Sequence, residues 1–133
     1  MSVTKRERRA NGVARNLIDE AAIQARIREL AVDLDEMYRD EPPLMVGVLN
    51  GAVTFMTDLM RAMTVPVEID FMAVSSYGAS TKSSGVVRIL KDLNDEIEGR
   101  RVLVVEDIVD SGLTLQYLLE LLQHRNPADV RVV

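Results

Sequence analysis

The stretch VLVVEDIVDSGLTLQYLLELL, Val102 to Leu122, decides the fold. It opens on Val102, Leu103, Val104 and Val105, an aliphatic run without polar alternation, which is the pattern of a strand covered on both faces in a parallel sheet. A strand of that kind lies inside the sheet. Glu106 and Asp107 follow where the strand ends, and open α/β sheets bind ligands outside the carboxyl ends of their strands. A short polar turn, Asp110, Ser111, Gly112 and Thr114, leads to Leu115, Leu118, Leu119 and Leu122, whose spacing of three and four marks one apolar helix face. The order is strand, acid pair, small-residue loop, helix.

That loop has a readable chemistry. Backbone N–H groups at a helix start, with a glycine that lets the chain approach closely, favour an anion such as phosphate. Ser111 and Thr114 add hydroxyls. The loop lacks the Gly-Lys-Ser/Thr ending of a P-loop and the three glycines of the dinucleotide fingerprint. Glu106 and Asp107 repel a phosphate, yet as acceptors they suit ribose hydroxyls or a hydrated Mg²⁺. Together these groups fit a sugar phosphate. Taken singly, Asp110 or Ser111 also reads as an ordinary N-cap, and the two acids as a solvated strand end.

Composition bounds the answer. The 133 residues make one domain, 47% hydrophobic and 28% charged, as in a soluble globular protein. No apolar run approaches the roughly 18 residues of a membrane helix, and no signal-peptide pattern is present. Zero cysteines exclude disulfides and, with a single histidine, argue against zinc; a cytoplasmic location is the expectation. A net charge of −5 disfavours general nucleic-acid binding.

Upstream, residues 1–16 carry Lys5, Arg6, Arg8, Arg9 and Arg15 with little apolar periodicity and read as a mobile basic arm before a core over 17–133. Ile23, Ile27, Leu30, Ala31, Leu34, Met37 and Tyr38 form one helical stripe, with Asp19 or Glu20 at its start and Pro42-Pro43 beyond its end. Leu44 to Leu49 is a second buried strand. Asn50-Gly51-Ala52 then turns tightly into a helix whose inner face is Val53, Met56, Leu59, Met60 and Met63. A glycine at such a junction equally reads as close packing; in the functional reading Leu49, Asn50 and Gly51 offer N–H groups to a second anion across the cleft from the first.

Val67 to Val74 alternates Val67, Ile69 and Phe71 with Glu68, Asp70 and Met72, as in a strand near the sheet edge. Ser75 to Gly85, SSYGASTKSSG, is rich in Ser and Gly and joins it to Val86–Lys91 as a long hairpin loop. Asn94-Asp95 and Gly99 mark a turn, Asn126-Pro127 a helix stop, and Val130 to Val133 a further strand. His124 suits a helix C-terminus, and the methionines at helical spacing are core fillers.

Three motifs in this order, LNGA, SSYG followed by SSG, and EDIVDSGLT, resemble those of type I phosphoribosyltransferases, most closely the hypoxanthine-guanine branch. The resemblance implies an α/β fold: a mainly parallel, Rossmann-like central sheet flanked by helices, with a flexible hairpin lid. It implies Mg²⁺-dependent transfer of a phosphoribosyl group from 5-phosphoribosyl 1-pyrophosphate (PRPP) to N9 of a 6-oxopurine, hypoxanthine or guanine, releasing pyrophosphate. Glu106 and Asp107 would hold the ribose hydroxyls or the Mg²⁺. Asp110, Ser111, Gly112, Leu113 and Thr114 would cradle the 5′-phosphate, with Asp110 also the acid or base at N7. Leu49, Asn50 and Gly51 would form the pyrophosphate loop, with a cis peptide at Leu49–Asn50. Ser76 and Tyr77 would close a lid that keeps water from the reacting sugar carbon. A homodimer or homotetramer is the family expectation. Family members continue further, with a lysine for the purine oxygen, an aromatic that stacks on the base and an aspartate for a second Mg²⁺. The sequence stops short of them, so base preference is not legible. Rival readings are a PRPP-sensing regulator on the same fold and a xanthine-guanine or uracil transferase.

Overall fold

The computed structural model describes residues 17–76, 87–109 and 112–133. The described chain runs α1 (Glu20–Met37), β1 (Leu44–Val48), α2 (Ala52–Ala62), β2 (Glu68–Ser76), β3 (Val87–Lys91), β4 (Arg101–Val105), α3 (Leu113–Gln123) and β5 (Asp129–Val132). The strands form one sheet in the order β3-β2-β1-β4-β5. β1 pairs in parallel with β2 and with β4, and β4 with β5; β3 alone runs antiparallel, against β2. The expected α/β class with a mainly parallel sheet is therefore present. The proposed arm over residues 1–16 and the loop over 77–86 lie outside the described residues.

Continuous aliphatic runs give β1 and β4 two covered faces. Met45, Leu103 and Val105 point to one side, where they join Ile27, Ala31 and Leu34 of α1 and Met56 and Leu59 of α2. Leu44, Val46, Val48, Val102 and Val104 point to the other, where Leu118 and Leu122 of α3, Met72 and Ile97 pack on them. Burying one such aliphatic side chain contributes about 1.5–3 kcal/mol, so the two clusters hold helices to both faces. Met56 and Met63 are core residues, as their helical spacing implies, and Met45 and Met72 are buried from the strands.

Some expectations about helix faces need correction. In α1, Ile27, Ala31, Leu34 and Tyr38 are buried, but Ile23 and Met37, on the shoulders of the stripe, are exposed. In α2 the buried first residue is Ala52, while Val53 faces outward. Asp19 caps α1 by accepting a hydrogen bond from the Ala22 N–H at 2.8 Å, and the helix ends at Met37, ahead of Pro42. Strand β2 inverts the apolar reading: Ile69 is exposed and Asp70 is buried. Its alternation was legible; which face would be covered was not.

β2 does serve two partners in succession. Its first half, Glu68–Met72, pairs with β1, and its second half, Ala73–Ser76, pairs with β3. The register shifts between Ala73 and Val74, a bulge at the point of transfer. The chain then returns to β4 past the half of β2 that β3 leaves uncovered, and Asn94 N–H donates to Asp70 Oδ2 at 2.9 Å on the way. At the opposite end of the sheet from the cleft, Arg101 lies 4.4 Å from the Tyr38 ring centroid.

Candidate active site

The strand order reverses between β1 and β4: from β1 the chain moves outward to β2 and β3, then crosses back to β4 on the other side. Such a switch point leaves a crevice at the carboxyl ends of the two strands. Both predicted loops lie there. Leu49–Asn50 follows β1 and is a cis peptide, as the resemblance implied, and Glu106 and Asp107 follow β4.

Each strand also leads directly into a helix. α2 begins after Gly51 and α3 after Gly112, so neither helix has a side chain at its N-cap position. α1, by contrast, carries the carboxylate of Asp19 in that position. Gly112 has φ of 83°, a left-handed conformation that glycine adopts without strain. It holds the N-cap position that the alternative reading gave to Asp110 or Ser111; those two lie outside the described residues. Two helix N-termini thus open on one crevice, with positive dipole ends suited to anions.

The acids hold a defined arrangement between them. The Asp107 N–H donates to Glu106 Oε1 at 3.0 Å, and the Ile108 N–H donates to Asp107 Oδ1 at 2.8 Å. Behind them, the Glu106 N–H donates to the carbonyl of Val133 at 3.2 Å, which extends the β4–β5 ladder to the start of the acid pair. The other Asp107 oxygen presses on the opposite loop: a Cβ added to Gly51 would lie 2.1 Å from Asp107 Oδ2. The two loops therefore touch, and a side chain at position 51 would have to push the Asp107 carboxylate out of this place.

Partial burial, the side-chain hydrogen bond with Asp107 and the charge of Asp107 together push Glu106 up to about 7, against the pull of the Asp107 N–H. Two neighbouring carboxylates with no cation between them resist joint ionisation. Hydroxyl donors or a divalent cation would relieve that repulsion.

Of the residues expected at the site, Leu49, Asn50, Gly51, Glu106, Asp107, Gly112, Leu113 and Thr114 all fall in the two loops and helix starts around the crevice. Ser76 ends β2, with only its backbone described; Tyr77, Asp110 and Ser111 lie outside the described residues. Gly51 as a spacer against Asp107, and the buried Asp70 with Lys91, were not read from the sequence, because each acts on a partner distant in the chain.

A family profile, the phosphoribosyl transferase domain, matches residues 14–133, and the chain belongs to that family. The relatives narrow the class. Over 117 residues it is 50% identical to the hypoxanthine-guanine phosphoribosyltransferase of Bacillus subtilis (strain 168), covering 88% of this chain and 65% of that protein. Over 122 residues it is 55% identical to the enzyme of the same name from Mycobacterium avium, covering 87% of this chain and 60% of that protein. The chain thus spans just under two thirds of these relatives. A hypoxanthine phosphoribosyltransferase structure from Staphylococcus aureus superposes with a TM-score of 0.89 at 41% identity, covering 92% of this chain and 67% of that one. Among the described residues, no helix is long and apolar enough to cross a membrane.

Proposed function

We propose that this chain is the PRPP-binding core of a purine-salvage enzyme that transfers the phosphoribosyl group of PRPP to N9 of hypoxanthine or guanine, giving IMP or GMP and pyrophosphate. The observation that carries the reading is the pairing of two glycine-started helices across a touching pair of loops, with the acid pair between them. PRPP has the complementary charge pattern: an anion at each end and a hydroxylated ring in the middle.

In this reading the 110–114 loop and the start of α3 bind the 5′-phosphate, and Leu49, Asn50 and Gly51 bind the pyrophosphate as it leaves. Glu106 and Asp107 accept from the ribose hydroxyls. Asp110 holds or releases a proton at N7 of the base. Ile108 and Val109, exposed beside the acids, offer an apolar wall to a planar purine. Ser76 and Tyr77 close over the sugar and exclude water. Most of the rate then comes from holding the two reactants in line and from dipoles aimed at the departing charge.

The donor set also fits Mg²⁺. Among the described residues no three His, Cys, Asp or Glu side chains gather into a cage. A pair of carboxylates beside a phosphate site suits a small hard cation that keeps several waters and takes its remaining ligands from substrate. Glu106 and Asp107 would hold it, directly or through water; when bound it would neutralise charge on the pyrophosphate. A cytoplasmic location, a core over residues 17–133 and a homodimer or homotetramer complete the proposal.

The test is turnover. The full-length protein that contains this chain is incubated with PRPP, Mg²⁺ and hypoxanthine, guanine, xanthine or uracil in turn. IMP and GMP are the expected products; nucleotide from xanthine or uracil alone, or from no base, overturns the assignment. Asp110→Asn is expected to lower kcat by about 10²-fold or more while changing PRPP affinity far less. Unchanged turnover removes Asp110 from its proton role.

A further inference from the structure

At the bulge in β2, one side chain ties together everything that meets there. Lys91, the last residue of β3, is paired with Ala73 across the hairpin. Its Nζ donates to the carbonyl of Phe71 at 2.9 Å and to the carbonyl of Asp92 at 3.0 Å, and lies 3.4 Å from Asp70 Oδ1. Asp70 is buried, and its two oxygens also accept from the N–H groups of Phe71 at 2.7 Å and Asn94 at 2.9 Å. The next residue, Asp92, is gripped from the end of α3 by both terminal nitrogens of Arg125, at 2.8 and 2.7 Å.

The position of this knot gives it consequence. The Leu49 N–H donates to the carbonyl of Met72 at 2.8 Å, so the loop after β1 begins level with Met72. Residues 73–76 of β2 continue past that level, at the same end of the sheet as the acid pair. At roughly 3.3 Å per residue they extend about 13 Å beyond that level. There they have lost β1 as a ladder partner and pair with β3 alone, while Val74 and Ile89 lay the inner side of the ribbon on the core. A two-stranded ribbon has little rigidity of its own, so its direction is set where it is anchored. Met72's carbonyl faces β1, which turns the carbonyl of Phe71 to the outer side, where the β3 ladder does not reach. Lys91 supplies the missing donor there.

We propose that Lys91 is a positioning residue. By binding the Asp70 carboxylate and the carbonyls of Phe71 and Asp92 at the bulge, it fixes the direction in which the outer half of β2 and β3 leave the sheet, at the end that carries Asn50, Gly51, Glu106 and Asp107. It touches no reacting atom and acts through the placement of Ser75 and Ser76. The kinetic consequence rests on the transferase reading; the mechanical one does not.

Lys91→Met keeps the aliphatic stem and removes the three donors, and Lys91→Arg restores a charged donor. Lys91 is partly exposed and its replacement opens no cavity; in Lys91→Met the buried Asp70 carboxylate keeps the N–H groups of Phe71 and Asn94, and thermal unfolding of the variant checks that the fold persists. Two measurements decide. Amide hydrogen exchange at residues 73–76 and 87–91 is expected to rise about tenfold or more in Lys91→Met, with β1 and β4 unchanged, since local opening reports local anchoring. With PRPP and hypoxanthine, kcat is expected to fall about tenfold or more, KM for PRPP to move less than about threefold, and Lys91→Arg to recover most of both losses, because small misplacement of a positioning element is costly. Unchanged exchange in Lys91→Met overturns the proposal, as does kcat within about twofold of the parent. If the parent protein turns over no base, the assignment of function falls while the exchange result still decides the anchor.

Discussion

At the scale of single residues, Gly51 and Asp107 show how little room the crevice leaves. Any side chain at position 51 must displace the Asp107 carboxylate, because a Cβ there would meet Oδ2 at 2.1 Å. The obstructing atom belongs to the proposed site, so the damage is functional before it is structural. Gly51→Ala is expected to reduce kcat/KM by about 10²-fold while shifting the unfolding midpoint little, since Gly51 is exposed and in a helical conformation that alanine adopts readily. Steady-state kinetics and thermal unfolding on the same preparation check this; full activity in the variant would mean that the two loops can separate without cost. Asp107 was legible in the sequence as half of an acid pair. Its contact with Gly51 was not, because local sequence carries no record of which loop a strand order will bring alongside.

At the scale of elements, β2 and the segment after β3 depend on carboxylates in use as acceptors. Burial raises the Asp70 carboxyl, but the N–H groups of Asn94 and Phe71 and the Lys91 ammonium outweigh it and hold the group below the ordinary aspartate range. Asp92 is likewise held low, chiefly by Arg125. A depressed folded-state pKa means that the unfolded chain takes up protons first on acidification. These contributions are therefore complete above the usual carboxylate pKa of about 4 and are lost as pH falls from there through the folded values. Urea unfolding between pH 3 and pH 7 is expected to show Asp70→Asn less stable than the parent at neutral pH, with the gap closing below about pH 4. A gap that stays constant with pH would show that the ionised form of Asp70 contributes nothing. The segments of all eight described elements were legible from hydrophobic periodicity and from Gly and Pro punctuation, with ends displaced by one or a few residues. What periodicity misplaced was the covered face of β2. Alternation fixes that Ile69 and Asp70 point opposite ways, but the side that is buried is decided by Asn94 and Lys91 arriving from elsewhere in the chain.

At the scale of the molecule, the crevice lies where the loops of the two halves of the chain meet, above a sheet and two apolar clusters that already join those halves. A ligand that bridges the loop after β1, the acid pair and the start of α3 binds the folded state alone. PRPP with Mg²⁺ at about 100 times its dissociation constant is expected to add about 2.7 kcal/mol of stability, visible as a rise of several degrees in the unfolding midpoint. Ribose 5-phosphate, which lacks the pyrophosphate, should add less, and a chelator should remove most of the PRPP increment. Equal shifts from both sugars by scanning calorimetry would mean that the Leu49–Gly51 loop takes no part in binding.

The amino-acid sequence by itself determined the class of the sheet, the identity of its buried strands and the two loops that carry polar chemistry. These follow from side-chain periodicity and from residues whose backbone preferences are local. Only the tertiary structure decided that β1 and β4 would be neighbours at a switch point, that Gly51 would lie against Asp107, and that Lys91 would knot β2 to the returning chain. The physical reason is that each is a contact between segments whose separate propensities are satisfied in many arrangements, and the choice among them is made by burying both faces of one sheet at once.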